Sequence, residues 1–524
     1  MSAQNADAII IGGGLAGLTL ALQLRKNGPD LDITVLERAN TDPPEAAHKV
    51  GESTVEIGAD YLARTLDLED LLEDTQLRKF GLRFFFGAPD KDLAQADELG
   101  ASDFFPNATY QLDRGRLEQS LHSRAVASGI DVRRGCAVRG FDGSETSPVK
   151  KVRFVDKQGE QTLSGRWLVD ASGRAAMLRR SLSLQRPPRH PSCASWFRLD
   201  EKIDVDDWSD NAEWKQRCVV SRRWFSTNHL MGPGYWVWII PLVNDRTSIG
   251  VVTDPEILPL GEVNSFENFQ HWAAREQPLL ASAIEGKQNR LMDFRFLPSL
   301  ASDSQRVWSS DGWAMSGEAG VFADPFYSPG SDYIAISNSF ITDFVTSDLP
   351  ANELEQRSRY FHVLFRSFFA STMSLYRGQY GGFGDMRLMA VKSTWDYAYY
   401  WSILAWIWYR DVLTDASFLM SSEAEFQKVL VLNNRMQSVF RKRASQKNVI
   451  APCRRFIDQQ AIPILKSLNH ALAGTREDIG AELISNCSRL AEVAAELERI
   501  LLADAGSGAR FQSEHLGDLA CRLD

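Results

Sequence analysis

The chain has 524 residues, 44% of them hydrophobic, and a formal net charge of −10. This length and composition predict a large core divided among more than one domain. A sequence pI near 5.5 leaves no basic excess for binding nucleic-acid phosphates, so no nucleic-acid partner is expected.

The cysteines and the apolar stretches bear on where the protein works. Six cysteines are scattered without a CxxC pair or a His/Cys ligand spacing, which is typical of a reducing compartment and predicts no metal site. No stretch reaches the roughly 18 apolar residues of a membrane helix. The segment "MSAQNADAIIIGGG" carries no basic leader or cleavage site, so no signal peptide is predicted. We therefore expect a cytoplasmic protein without an integral membrane segment.

The first elements in chain order form a βαβ unit. "DAIII" (7–11) is a short apolar run, "LTLALQLRKNG" has a helical period, and "LDITVLER" is typical of a second strand. Between the first strand and the helix lies GxGxxG, a turn that lets the backbone and the helix N-terminus approach a pyrophosphate. Glu37 ends the second strand, where a carboxylate accepts hydrogen bonds from ribose hydroxyls. The candidate dinucleotide-binding residues of this unit are Gly12, Gly14, Ala16, Gly17, Glu37 and Arg38.

The next segments mix helical and strand patterns. Residues 50–86 end in "LRKFGLRFFFG", which predicts an alternating strand. Residues 113–129 predict a helix, and "WLVDASGR" (167–174) predicts a buried strand that runs into a glycine turn. In the alternating strand, one face carries Lys79, Gly81 and Arg83, and the other carries Phe80, Leu82 and Phe84.

The remaining chain predicts a strand-rich layer and then helices. "GYWVWIIPL" (234–242) places Trp236 and Trp238 on one face of a buried strand. Residues 313–340 predict a strand, an irregular loop and a helix, and the pattern from about residue 350 is helical. The predicted class is α/β: a dinucleotide-binding Rossmann-like domain within 1–345, a β-rich substrate layer inserted at 190–300, and a helical C-terminal region at 350–524.

Two segments identify the dinucleotide. "DRGRLEQ" (113–119) and "VDASGR" (169–174) resemble the second and third nucleotide-contacting motifs of single-component FAD monooxygenases. That resemblance implies FAD and places Arg114 and Asp170 near the flavin. The alternative for Arg114 is an ordinary surface charge at a helix start. No second glycine fingerprint is visible, so we expect the flavin to be reduced by a separate NAD(P)H-dependent flavin reductase.

The tryptophan strand gives the strongest resemblance. "WVWIIP" (236–241) matches WxWxIP, a signature of the flavin-dependent halogenases, the tryptophan halogenase family. "VGEST" (50–54) resembles that family's GEA/ST flavin loop, and "FADPFYSPG" (322–330) resembles its EPLxSxG flavin-and-halide loop. These motifs follow the family's order over about the first two thirds of the chain. The resemblance adds Gly51, Glu52, Ser53, Thr54, Asp324, Pro325 and Gly330 as flavin-binding residues, and Ser328, Gly330 and Ser331 as halide-binding residues.

The resemblance also implies a reaction. Members use FADH2, O2 and chloride or bromide to form hypohalous acid, which reaches a lysine beside the substrate. Lys79 matches the place of that lysine; its alternative is a solubilising residue on an edge strand. Lys49 is a rival, but it lies too close in sequence to the flavin loop. The resemblance implies that Trp236 and Trp238 keep the organic substrate away from the activated flavin, and core packing is the simpler alternative.

The loop departs from the tryptophan-specific members at two positions. Tyr327 stands where they place a glutamate that assists deprotonation, and Pro329, which has no N–H, replaces a halide donor. We therefore predict an electron-rich substrate other than tryptophan, such as a phenol, resorcinol, pyrrole or aryl acyl group. Asp332 is predicted to cap the following helix, with substrate binding and base catalysis as alternatives.

A basic block near the C-terminus suggests a protein partner. Between Gln427 and Ile457 there is no acidic residue. A solvated helix face is the simpler interpretation, and docking of an acidic acyl carrier protein that delivers the substrate is the sharper one. The block contains Lys428, Arg435, Arg441, Lys442, Arg443, Lys447, Arg454 and Arg455.

Two other functions remain open from the sequence. The first is an FAD-dependent aromatic monooxygenase on the same scaffold, which would hydroxylate its substrate without halide. The second is a catalytically inactive flavoprotein that serves as a binding partner. A requirement for halide and for Lys79 would separate the halogenase from both.

Overall fold

The fold is known from a computed structural model that describes residues 5–44, 49–142, 150–188, 190–218, 222–446, 452–474, 478–502 and 513–523. Its strands, in chain order, are β1 Asn5–Ile11, β2 Ile33–Glu37, β3 Leu77–Arg78, β4 Leu82–Phe86, β5 Asp97–Gly100, β6 Tyr110–Gln111, β7 Asp131–Arg134, β8 Ala137–Asp142, β9 Lys150–Asp156, β10 Gly159–Asp170, β11 Gln185–Arg186, β12 Cys193–Leu199, β13 Thr227–Gly232, β14 Tyr235–Leu242, β15 Arg246–Thr253, β16 Leu291–Leu297, β17 Asp303–Ser304, β18 Trp308–Ser309, β19 Trp313–Met315 and β20 Phe456–Asp458.

The α-helices follow the same numbering along the chain. They are α1 Leu15–Asn27, α2 Glu56–Asp60, α3 Glu69–Thr75, α4 Arg114–Ala127, α5 Met177–Ser181, α6 Ala212–Gln216, α7 Phe266–Glu276, α8 Pro278–Ile284, α9 Gly330–Thr346, α10 Ala351–Ser374, α11 Met386–Tyr399, α12 Ala405–Tyr409, α13 Ala416–Ser421, α14 Glu423–Ala444, α15 Pro463–Leu472, α16 Ile479–Leu502 and α17 Leu519–Leu523.

Residues 1–75, 112–188 and 301–369 form the first of two units. Its main sheet has the order β18-β19-β10-β1-β2-β7, and β8 and β9 extend it from β10. The strands β19, β10, β1, β2 and β7 run parallel, with Ile11 beside both Asp170 and Leu36. The carboxyl ends of the parallel strands therefore meet at one edge, the place where open α/β sheets bind ligands.

Residues 76–111, 189–300 and 370–524 form the second unit. Its main sheet has the order β16-β12-β15-β14-β13-β4-β5-β20. Because side chains alternate between the faces of a strand, this sheet carries two different sets of residues. Phe85, Leu230 and Val237 belong to one face, which packs with Phe269 and Trp272 of α7. The opposite face carries the side chains of residues 84, 229, 236 and 238.

Most of the predicted elements are confirmed. The βαβ unit, the helix after residue 113, the buried strand that ends at Asp170 and the helix after the 322–330 loop lie where the patterns predict them. The α/β class with a β-rich layer and a helical C-terminal region is also confirmed, whereas the domain boundary near residue 350 stays a prediction. The strand β20, which pairs in parallel with β5, was not predicted.

Two further predictions concern bulk properties of the chain. In the described part of the chain, no helix is both long and apolar enough to cross a membrane. The described residues also contain no group of three or more His, Cys, Asp or Glu side chains arranged to hold a metal ion. All six cysteines are free thiols.

Candidate active site

The glycines of the first loop have three different structural roles. Gly12 has φ +106°, and a Cβ on it would lie 2.4 Å from the Ala171 carbonyl oxygen. A Cβ on Gly17 would lie 2.0 Å from the Gly12 carbonyl oxygen, so this glycine allows α1 to pack against the loop. Gly14 is the N-cap of α1 and bears no such constraint, because the nearest atom to its Cβ position is the Lys49 Nζ at 3.6 Å. Gly14 can therefore accept a methyl group without a clash, and the Lys49 Nζ and a Glu118 carboxylate oxygen, at 3.8 Å, lie on the side where a phosphate is expected.

Glu37 closes the loop from the end of β2. Its carboxylate accepts hydrogen bonds from the Gly13 N–H at 2.6 Å and the Ala39 N–H at 2.7 Å. The side chain is only partly buried, and the neighbouring Arg38 is exposed. Glu37 thus joins the two turns that follow β1 and β2, and the predicted role of both residues in binding the dinucleotide stays a prediction.

Arg114 is not an ordinary surface charge. Its guanidinium donates to the carbonyls of Val50 and Gly51 at 3.0 and 3.2 Å and to the Glu118 carboxylate at 2.7 Å. Lys49 forms a second ion pair with the buried Glu118. Burial raises the pKa of Glu118, but Arg114 and Lys49 outweigh it and hold the pKa below its ordinary value. Lys49 therefore lies beside the glycine loop, and Arg114 fixes the turn at residues 50–51.

The loop at residues 51–54 is fixed by a backbone hydrogen bond and by burial of its side chains. The Leu112 N–H donates to the Glu52 carbonyl at 2.6 Å, and Gly51 has φ +94°. Glu52, Ser53 and Thr54 are buried. These contacts place the predicted flavin loop beside the start of α4.

Asp170 and Glu318 lie at the carboxyl ends of neighbouring strands. Asp170 accepts from the N–H groups of Ser172 at 2.9 Å and Leu178 at 2.7 Å, and burial raises its pKa against these bonds. Glu318 follows β19, and burial raises its pKa while Arg174, Arg114 and Lys49 oppose the rise. Glu318 was not predicted from the sequence, although its segment "SGEAG" directly follows a predicted strand, which is a signal of a ligand-binding loop.

The loop before α9 carries the predicted flavin and halide residues. Asp324 is buried and accepts from the Phe326 N–H at 3.1 Å. Ser328 has φ +57°, and its N–H donates to the Pro325 carbonyl at 2.8 Å. Gly330 begins α9, so the N–H groups of Gly330 and Ser331 have no acceptor within the helix. These two remain the candidate halide donors, because the Ser328 N–H already has an acceptor.

The predicted capping role of Asp332 is wrong. Pro329 occupies the N-cap of α9, and no side chain caps that helix end. The buried Asp332 carboxylate instead accepts a hydrogen bond at 2.8 Å from the Gly58 N–H, in α2. Asp332 thus connects α9 to the helix that follows the 51–54 loop.

These residues fit a flavin dinucleotide. The N-terminus of α1, which follows Gly14, carries N–H groups without a helical acceptor. Lys49 adds positive charge beside Gly14 and Arg114 adds it beside Gly51, and both pair with Glu118, so this side of the loop suits a pyrophosphate.

Lys79 lies in the second unit, between β3 and β4. Its side chain is buried, with 3% of its surface exposed, so the interpretation as a solubilising edge residue is wrong. Its N–H donates to the Thr109 carbonyl at 2.7 Å, and the Phe80 N–H donates to the Phe225 carbonyl at 2.9 Å. A buried lysine amine is costly unless it has a specific task or partner.

The alternating strand predicted around Lys79 is also wrong. Gly81 has φ +67°, which ends the extended conformation before β4 begins at Leu82. All five residues of β4 are buried, including Arg83, which forms an ion pair with Glu98. The alternation of charged and apolar residues therefore reflects a buried ion pair and not an exposed face.

Aromatic side chains surround this segment on the two faces of the sheet. The Phe80 ring lies 4.7 Å from the Phe104 ring between centroids, and Phe84 stacks on His229 at 4.8 Å. Phe85 packs in the core on the face opposite Phe84, with its ring 6.5 Å from Trp214.

The two tryptophans share one face of β14, as predicted. Their ring centroids are 5.7 Å apart, and both side chains are buried. The Trp236 Nε1–H donates to the Tyr380 hydroxyl at 2.9 Å, and the Trp238 Nε1–H donates to the Ser248 hydroxyl at 3.2 Å. A Cβ on Gly250 would lie 2.2 Å from the Trp238 ring, so that glycine makes room for the indole. The role of Trp236 and Trp238 in keeping the organic substrate away from the flavin stays a prediction.

His229 and the Arg83–Glu98 pair were not predicted from the sequence. His229 lies on the face of the tryptophans, with its ring 5.5 Å from the Trp236 ring. Its signal in the sequence was a polar residue within the strand that precedes "WVWIIP". Glu98 gave no signal, because its partners Arg83 and Arg223 lie on other segments.

The basic block does not form one free cationic face. Lys428 pairs with Glu425 at 2.6 Å, Arg435 pairs with Glu498, and the Arg441 guanidinium lies within 3.5 Å of the Ser374 carbonyl. Lys442 and Arg454 are exposed. The predicted Lys447 lies outside the described residues.

Comparison with known proteins gives consistent matches. A family model described as an FAD binding domain matches residues 5–236. The flavin-dependent halogenase chlA of Dictyostelium discoideum is 29% identical over 434 residues, which cover 76% of this chain and 70% of that protein. A 1H-pyrrole-2-carbonyl peptidyl-carrier protein chlorinase of Pseudomonas fluorescens is 25% identical over 347 residues, 63% of this chain and 73% of that protein.

The chain is similar to flavin-dependent halogenases over most of its length. These relatives are named flavin-dependent halogenases, and the match to an FAD binding domain supports an FAD-dependent oxidoreductase. A solved structure shows the same fold: the crystal structure of the halogenase PltM in complex with phloroglucinol and FAD has a TM-score of 0.63 at 16% identity. The match covers 94% of this chain and 96% of that chain.

Proposed function

We propose that this halogenase uses reduced FAD, O2 and chloride or bromide to halogenate an electron-rich aromatic compound. The candidate substrates are a phenol, a resorcinol, a pyrrole or an aryl acyl group, the last carried by an acyl carrier protein. Bound reduced FAD supplies two of the four electrons that reduce O2 to water, and oxidation of the halide and its transfer to carbon supply the other two. Overall, FADH2, O2, a halide ion, a proton and the arene give FAD, the aryl halide and two waters.

The observation that carries this proposal is the buried Lys79. Its ammonium donates hydrogen bonds to the oxygen of hypohalous acid, so the carbon–halogen bond forms while the halogen–oxygen bond breaks. The electron pair of the broken bond stays on oxygen, which is protonated to water. The ring proton leaves afterwards to water.

The substrate class rests on Tyr327 and on two relatives. Because a tyrosine replaces a carboxylate, the site favours a ring that loses its proton readily, as phenols and pyrroles do. One relative is named for a pyrrole group on a peptidyl-carrier protein, and one solved relative holds phloroglucinol. Both compounds are electron-rich aromatics.

The partners follow from the same reasoning. A separate NAD(P)H-dependent flavin reductase is proposed because the sequence carries a single glycine fingerprint. A carrier protein is proposed as the second partner, with exposed Lys442 and Arg454 as its candidate contacts. The cytoplasmic location stays a prediction.

The test is a coupled assay read by mass spectrometry. It contains the protein, FAD, NADH, a flavin reductase, bromide and a mixture of phenols, resorcinols, pyrroles and indoles, with a parallel reaction on a pyrrolyl carrier protein. We expect a product with the bromine isotope doublet, and a loss of roughly 100-fold or more in Lys79→Ala. Lys91→Ala, at an exposed lysine of the same segment, is the matched control and should retain full activity.

Two results would contradict the proposal. A hydroxylated product that forms without bromide would identify an aromatic monooxygenase. Bromination by Lys79→Ala at the rate of the wild type would remove Lys79 from the mechanism.

A further inference from the structure

His229 is a buried imidazole with a fixed orientation. It lies on β13, one face of its ring stacks on Phe84 at 4.8 Å and 22°, and its ring centroid lies 5.5 Å from that of Trp236. The His229 Nδ1 lies 3.1 Å from the Arg83 carbonyl oxygen. Because a carbonyl oxygen only accepts hydrogen bonds, Nδ1 carries the proton. The Nε2 of the neutral ring is therefore a hydrogen-bond acceptor.

The segment of Lys79 runs beside His229. The strands β4 and β13 pair in parallel, with Phe84 opposite His229. The Thr227 N–H, two residues before His229, donates to the Gly81 carbonyl at 3.0 Å, two residues after Lys79. Both Lys79 and His229 are buried, with 3% and 1% of their surfaces exposed.

The electrostatics of the two residues agree with this placement. Burial lowers the pKa of His229 to about 3, the positive charge of Lys79 adds to this shift, and backbone hydrogen bonds to Arg83 and Thr227 oppose it. The imidazole is therefore neutral at physiological pH. A neutral acceptor can orient an ammonium group without cancelling its charge, whereas a carboxylate would neutralise it.

We propose that His229 is a positioning residue for Lys79: its Nε2 accepts a hydrogen bond from the Lys79 ammonium and directs the other N–H donors toward the hypohalous acid. This inference rests on the proposed role of Lys79 in halogen transfer. It extends that role, because it explains how a flexible four-carbon side chain presents its charge in one direction.

The test compares two substitutions of His229. His229→Phe keeps the aromatic ring between Phe84 and Trp236 but has no acceptor, and His229→Gln restores a neutral acceptor. For each we would measure aryl halide formed per FADH2 consumed, the KM for the arene, and the hypohalous acid that escapes to a fluorogenic trap. His271→Gln, at an exposed histidine of α7, is the matched control.

We expect His229→Phe to lower aryl halide per FADH2 about tenfold or more at an unchanged KM, while the trapped hypohalous acid rises. His229→Gln should recover most of the loss. A purely structural role would lower the thermal unfolding midpoint, the product and the trapped acid together, without recovery by Gln. That result, or wild-type yield in His229→Phe, would overturn the inference.

The Lys79 variant separates this inference from the proposed function. If Lys79→Ala abolishes halogenation and His229→Phe does not affect it, only the role of His229 fails. If Lys79→Ala halogenates normally, the proposed function fails, and His229 loses its role with it.

Discussion

Gly12 and Gly14 belong to one loop but are under different physical constraints. Gly12 has a backbone conformation that side chains rarely adopt and no room for a Cβ, whereas a Cβ on Gly14 would make only ordinary contacts, with Lys49 and Glu118. The first glycine is therefore required by the fold, and we predict that the second is required for ligand binding. The sequence motif treats the two positions alike, and the structure separates their roles.

We predict that Gly12→Ala and Gly14→Ala fail in different ways. Gly12→Ala should lower the free energy of unfolding by about 2 kcal/mol or more, because of the clash with Ala171 and the positive φ. Gly14→Ala should leave stability nearly unchanged and weaken FAD binding, because its methyl group occupies the pyrophosphate side. Thermal unfolding without FAD and flavin-fluorescence titration measure the two effects. Equal stability of both variants would contradict the assignment.

Single residues of the site differ in how far the sequence predicts them. The glycine turn and the position of Glu37 were predictable because both lie within one βαβ unit, whereas the Ala171 carbonyl that crowds Gly12 lies outside it. His229 and Glu318 were not, because their environments are made by strands from distant parts of the chain. Asp332 was misassigned for the same reason: its acceptor role toward the Gly58 N–H depends on α2, which the local pattern at α9 does not reveal.

At the scale of elements, β4 is held by buried charges. Arg83 and Arg223 both pair with Glu98, and the Arg223 guanidinium also lies 3.6 Å from the Trp214 ring centroid. Burial raises the pKa of Glu98, but the two arginines outweigh it and hold the pKa below its ordinary value. The Arg83 Nε also donates to Ser226, whose hydroxyl donates to the Phe80 carbonyl. The cluster thus supports the backbone next to Lys79.

We predict that Glu98→Ala destabilises the second unit strongly. It leaves two buried arginines without their carboxylate, and removal of one partner from a buried ion pair costs about 3–5 kcal/mol. Glu213→Ala, at an exposed glutamate near Trp214, should change the free energy of unfolding by less than about 0.5 kcal/mol. Urea unfolding followed by tryptophan fluorescence makes the comparison. A loss of stability no greater in Glu98→Ala than in Glu213→Ala would show that the cluster is not essential to the sheet.

The same cluster explains the failure of the strand prediction. A period of two with Lys79 and Arg83 on one face normally indicates exposure of that face. Here Arg83 is buried because Glu98 neutralises it, and Gly81 interrupts the strand. A sequence pattern cannot show which distant carboxylate will accept a buried arginine.

At the scale of the whole molecule, the class of the fold was predictable, but the strand at one edge of the second sheet was not. Long periodic segments and the glycine loop define the parallel sheet locally. The last strand of the second sheet, β20, has three residues and is held by pairing with β5. Asp458 at its end accepts from the Ser102 N–H at 2.9 Å. Such a short strand is stabilised by partners that lie far away in the chain, so its own sequence carries no signal.

The pH dependence of stability is a further whole-molecule property. His229 has a pKa of about 3 in the fold and an ordinary pKa of 6.5 when unfolded. Between these values the unfolded chain binds more protons, so stability falls as the pH drops below about 6.5. At pH 5 the protonation of His229 in the unfolded chain should lower the free energy of unfolding by about 2 kcal/mol. We expect His229→Gln to show a shallower loss between pH 7.5 and 5 in urea unfolding, and His271→Gln to behave as the wild type. Identical slopes in all three proteins would contradict the assignment.

The order of segments along the chain has a consequence for how the protein is made and recombined. The chain passes from one unit to the other after residues 75, 111, 188, 300 and 369. The first sheet includes β19, so more than 315 residues must be synthesised and leave the ribosome before all strands of that sheet can pair. Exchanging one whole unit between relatives would need five junctions. Natural and laboratory diversification is therefore expected to proceed through single loops and point changes within an intact pair of units.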